Sequence, residues 1–102
     1  IEANPEAAKL ARQIVQKMGF TDIITILEGF STDLAQLPNN DKADFVVAEL
    51  VGSIATEEGV YATIKDAQRF VKEPKKPSSW IPNRIQTYAA PASYSLHNLF
   101  SP

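Results

Sequence analysis

The chain has 102 residues, 44% of them hydrophobic and 22% charged, the length of one small domain with an ordinary core fraction. A net charge of −2 and a pI near 5.3 leave no basic footprint for a nucleic-acid partner. With no cysteine there is no disulfide framework and no Cys-built zinc site, and no stretch approaches the roughly 20 apolar residues of a membrane helix.

Ile1-Glu2-Ala3-Asn4-Pro5 opens the sequence with no Met and no lead-in, so it is expected to be cut from a longer polypeptide. Asn4-Pro5-Glu6 spells a helix start: Asn as N-cap, Pro at the first helical position, an acid in the first turn. Ala7, Leu10, Ala11, Ile14, Val15 and Met18 then form one apolar stripe, and Gly19 is placed to end the helix. Ile23 to Leu27 is β-branched and nearly all apolar, which predicts a buried strand. A polar loop follows, with one turn expected at Leu34 to Leu37 before Pro38-Asn39-Asn40-Asp41 breaks the chain.

A second buried strand is predicted over Ala43 to Val51. From Thr56 the period becomes helical, with Val60, Tyr61, Ile64, Ala67, Phe70 and Val71 on one face and Lys65, Asp66 and Arg69 on the other. Glu73 to Ser79 is a loop rich in proline and charge, and Arg84 to Ala89 is predicted to be a third strand. The order helix, strand, helix, strand belongs to a parallel α/β sheet with helical crossovers.

The residues that could carry chemistry are acids. Glu2 directly precedes the capped helix, where a doubly wound nucleotide-binding sheet places its ribose-binding acid; a helix-start acid favoured by the dipole is the plainer alternative. Glu49 ends an apolar strand at the edge where open α/β sheets bind ligands, the alternative being an ion pair to a neighbouring Arg or Lys. Glu57 and Glu58 open the second helix, where acids are ordinary. His97 has no partners at a motif spacing, and Trp80, Tyr88 and Tyr94 read as packing residues.

Taken together these residues resemble the protein arginine methyltransferases, whose core is the class I S-adenosylmethionine-dependent methyltransferase fold. The likeness runs from Ile1 to about Asn98. Ile1 to Pro5 resembles the family's ribose-binding strand end, and Ala48 to Glu58 its double-glutamate loop, with Glu49 and Glu58 at the family's separation. The runs Glu49-Leu50-Val51-Gly52-Ser53, Asp66 to Val71 and Ala90-Pro91-Ala92-Ser93 are most similar to the symmetric-dimethylating (type II) branch. Phe30-Ser31 stands where the fold class often has an acid reaching the adenine, and the insert at Glu73 to Ser79 is longer than the family's usual turn.

The resemblance implies a partial class I methyltransferase (Rossmann-like) α/β fold. Residues 1–92 would be the C-terminal half of its parallel sheet with flanking helices, and residues 93–102 the start of the link to a β-barrel. It implies methyl transfer from S-adenosylmethionine to a guanidine nitrogen of protein arginine, with Glu49 and Glu58 catalytic, Glu2, Phe30 and Ser31 cofactor-binding, and no metal. Expected with it are an arginine-containing protein substrate, no direct nucleic-acid or membrane partner, self-association, and a cytoplasmic and/or nuclear setting. The segment alone is expected to be inactive. The competing reading is a non-catalytic methyltransferase-like scaffold; a nicotinamide-nucleotide dehydrogenase half would use Glu2 equally well but leave the Glu49/Glu58 spacing unexplained.

Overall fold

The computed structural model describes residues 1–50 and 59–93. Helix α1 spans Pro5–Lys17. The Asn4 side chain accepts hydrogen bonds from the Glu6 and Ala7 amides at 2.9 and 3.2 Å, supplying two of the partners that a helix start lacks. At the far end the Phe20 amide donates to Val15 O at 2.9 Å and the Gly19 amide to Gln16 O at 3.1 Å, with Gly19 at φ +75°. This is the Schellman closure, and its left-handed residue is a glycine because a Cβ would be strained there. Both ends of α1 thus follow the sequence prediction.

Its apolar stripe is less covered than the periodicity predicts. Ala8 is fully buried and Ala11 and Val15 half-buried, whereas Leu10, Ile14 and Met18 stand exposed. The contacts from α1 to the 26–28 segment come from Arg12, whose guanidinium donates to Ile26 O at 3.5 Å and meets Glu28 at 3.6 Å.

The three predicted strands shrink. Ile23 to Leu27 forms no ladder; one parallel bridge joins Glu2 to Glu28, through Glu2 N–H to Leu27 O at 2.9 Å and Gly29 N–H to Glu2 O at 2.8 Å. Ile23 and Ile24 are exposed rather than buried. Strand β1 is Val46–Val47, paired in parallel with β2, Trp80–Ile81, in the register Val46 to Trp80. A further parallel bridge ties Ala43 to Val71. Along β1, Phe45 and Val47 are exposed while Val46 and Ala48 are half-buried, so this run has one covered face and not the two its apolar continuity predicts. The third strand falls at Trp80–Ile81, and Arg84 to Ala89 is irregular and exposed. A strand exists only where a neighbour completes its hydrogen bonds, so β-propensity alone misplaces it.

Helix α2 spans Val60–Ala67 and tightens into a 3₁₀ turn at Gln68–Phe70. Val60, Ala67, Phe70 and Val71 are buried and Ile64 half-buried, as the spacing predicts; Tyr61, assigned to the same face, is exposed. The turn expected at Leu34 to Leu37 is replaced by two 3₁₀ turns, Ser31–Asp33 and Pro38–Asn40. Asn39 and Asn40 take positive φ (61° and 53°), which asparagine tolerates better than most residues.

The Glu73 to Ser79 loop is held from inside. Ser79, 3% exposed, donates its Oγ–H to Glu73 O at 3.0 Å, and Trp80 Nε1–H donates to Pro74 O at 2.9 Å. A loop whose composition reads as solvated is closed by two side chains at its exit.

Candidate functional site

The parallel bridge between Glu2 and Glu28 brings the chain start beside the 28–31 segment. Glu2, Phe30 and Ser31, far apart in sequence, therefore share one corner of the molecule. One carboxylate oxygen of Glu2 accepts the Asn4 amide at 2.9 Å, which places the acid just outside the N-terminus of α1. Charge there is favoured by the helix dipole. Glu28 meets Arg12 at 3.6 Å in an exposed pair. After Gly29 at φ +129°, Phe30 stands 65% exposed, and Ser31 begins the 3₁₀ turn half-buried.

That turn is anchored by a residue that periodicity assigned to an exposed helix face. Arg69 sends Nη1–H to Ala35 O at 2.8 Å, and Nη2–H to Ser31 O at 3.2 Å and to Leu34 O. Asp66, one helical turn earlier, aims the guanidinium with both oxygens at 3.2 Å, and the cation lies 4.0 Å from the centre of the Phe70 ring. Asp66 and Arg69 are both half-buried. The i,i+3 acid–base spacing of Asp66 and Arg69 is visible in sequence, but their target, a loop more than thirty residues upstream, is not.

Glu49 follows β1 and is exposed, and no ion pair among the described residues involves it. Its neighbours Ala48 and Leu50 line a groove of about 600 Å³ with Val60, Ile64, Trp80 and Ile85. Glu58, the second acid of the expected clamp, lies outside the described residues, as do Glu57, Tyr94 and His97. Trp80 is half-buried at the groove and Tyr88 is exposed.

Among the described residues no group of three His, Cys, Asp or Glu side chains comes together to hold a metal ion. No described helix is long and apolar enough to cross a membrane.

In class, the chain is a small α/β unit with parallel pairings, its acids placed at a helix start and beyond a strand end. Two curated proteins, both named Protein arginine N-methyltransferase 5 and from Oryza sativa subsp. indica and subsp. japonica, are each 32% identical to it over 99 residues. That alignment takes in 96% of the chain and 14% of each relative, so the chain spans about one seventh of their length. The similarity is to a segment of a protein arginine methyltransferase, at the level of the family. No family model matches the chain, and no solved structure does.

Proposed function

We propose that the chain is the second half of the S-adenosylmethionine-binding core of a protein arginine methyltransferase of the symmetric-dimethylating branch. Residues 1–92 belong to the core, and 93–102 begin the link to a substrate-binding β-barrel. The observation that carries this reading is the 32% identity to the two rice proteins across 96% of the chain. It is supported by the parallel pairing that sets Glu2 beside the Phe30-Ser31 turn, and by the two acids, Glu49 and Glu58, nine residues apart.

On this reading an N–CH₃ bond would form to a guanidine nitrogen of protein arginine as the S–CH₃ bond of S-adenosylmethionine breaks, the thioether S-adenosylhomocysteine would leave, and one N–H proton of the methylated guanidinium would pass to solvent. Arginine stays protonated at neutral pH, its pKa being above about 12, so its nitrogen has to be positioned rather than deprotonated beforehand. Glu49 and Glu58 take the guanidinium in paired, charge-assisted hydrogen bonds. They draw positive charge toward the bonded nitrogens and leave one terminal nitrogen aimed at the methyl group. Lysine has no planar fork and fits this clamp poorly. Glu2 holds the ribose hydroxyls, and Phe30 with Ser31 borders the adenine.

The test is mass spectrometry of an arginine-rich peptide incubated with S-adenosylmethionine and the intact protein that contains this chain. A mass gain of one CH₂ for each methyl that replaces an N–H hydrogen, up to two per arginine, is expected, with fragment ions of symmetric dimethylarginine. Glu49→Gln or Glu58→Gln should each abolish transfer with cofactor affinity kept, whereas Glu2→Ala should weaken cofactor binding. Near-normal turnover in both Gln variants would overturn the clamp, and an intact protein that binds no cofactor would favour the scaffold reading.

A further inference from the structure

We propose that Arg69 is a positioning residue for the nucleoside end of the cofactor, acting through the 30–35 turn; this rests on the functional reading above. Phe30 and Ser31 enter that turn, and neither is held in place by a regular strand. Within the turn the Asp33 amide bonds Phe30 O at 3.1 Å and the Leu34 amide bonds Ser31 O at 3.3 Å, contacts too local to fix its direction in space. Apart from the Gly29 N–H to Glu2 O bond at its entry, the hydrogen-bonded tie to the rest of the fold comes from the 3₁₀ turn that ends α2, through one guanidinium that reaches the carbonyls of Ser31, Leu34 and Ala35.

Arg69 is itself fixed on three sides. Asp66 takes the guanidinium with both oxygens, the Phe70 ring lies beneath it, and Lys42 Nζ donates to the Arg69 carbonyl at 2.8 Å. A rigid cation with three carbonyl acceptors makes the turn part of the α2 body. Phe30 is then offered as a settled apolar surface at 65% exposure, on which a purine ring can lie. Without the cation those carbonyls return to water, the turn samples other directions, and the cofactor has to order it on binding.

The roles separate in kinetics of the intact protein with an arginine peptide as methyl acceptor. In Arg69→Gln the KM for S-adenosylmethionine is expected to rise about tenfold, the low end for hydrogen bonds to a charged group. The kcat and the peptide KM should stay within about twofold, because neither the clamp nor the reacting atoms are touched. Arg69→Lys keeps the charge without the fork and should fall between. Lys72→Ala, at an exposed pair elsewhere, should leave all three parameters unchanged. A merely structural role predicts the opposite split: a smaller active fraction lowers kcat and leaves the cofactor KM alone. Should Arg69→Gln not fold, Asp66→Asn keeps the arginine but loosens its aim, and a cofactor KM up a few fold at constant kcat is expected. An unchanged cofactor KM in the folded variants overturns the inference with the methyltransferase reading intact; a parent protein that neither binds nor uses S-adenosylmethionine overturns both.

Discussion

A guanidinium carries five N–H donors in one plane, and Arg69 directs them at a carboxylate on its own helix and at three carbonyls of a distant turn. Lysine could offer only a point charge to the same acceptors. Lys72 shows what such a point charge does at an exposed site: it meets Asp44 at 2.9 Å, with both side chains largely in solvent. The Asp44 hydrogen bond first, and the charge of Asp44 second, raise the Lys72 pKa above its ordinary 10.5. A raised folded value means that the pair's contribution is complete below pH 10.5 and fades as pH climbs through the folded value. Lys72→Met should therefore unfold close to wild type at neutral pH, and any difference should disappear in about 1 M salt, where the Debye length is near 3 Å. It should also shrink above pH 10.5; a difference that widens there would show that the ion pair is not its source.

Among the elements, α1 is the one whose residues specify it locally. Asn4, Pro5 and Gly19 act within a few residues of themselves, so the helix could be bounded from sequence at both ends. Gly19→Ala places a Cβ at φ +75° and should cost about 1 kcal/mol of local stability. Amide hydrogen exchange at Met18 to Phe20 should then speed by about fivefold, the factor that free energy corresponds to. Unchanged exchange would mean the closure does not hold the last turn. The strands behave otherwise. Ile23 to Leu27 and Phe45 to Ala48 have the right composition, yet the first makes a single bridge at Glu28 and the second a two-residue pair. Composition measures willingness to sit in a sheet, and only a neighbour supplies the sheet.

At the scale of the molecule, the radius of gyration is 18.1 Å, against about 13 Å for a compact chain of this length. The described core is small: Ala8, Val60, Ala67, Phe70 and Val71 are buried, while Leu10, Ile14, Met18, Phe20 and Ile23 are exposed. Apolar faces of this extent favour association over a lone monomer. In isolation the 102-residue polypeptide should sediment as species heavier than its 11.2 kDa and bind an apolar dye. A dye-silent 11.2 kDa monomer would show that the faces are covered within the chain. The groove beside Trp80 belongs to the same incomplete packing, with Ala48 and Leu50 in its lining.

Sequence by itself determined what short-range chemistry controls: the bounds of α1, most of the buried face of α2, and the break at Pro38 to Asp41. Caps, turns and helical periodicity act over a few residues and so are written in order along the chain. Tertiary structure alone decided which stretches of apolar chain pair, and that Glu2 lies beside Phe30 and Ser31. It also decided that Arg69 faces inward to the 31–35 carbonyls. Each of these is a contact between residues more than twenty positions apart, and a hydrogen bond of that span leaves no periodic trace in the sequence that makes it.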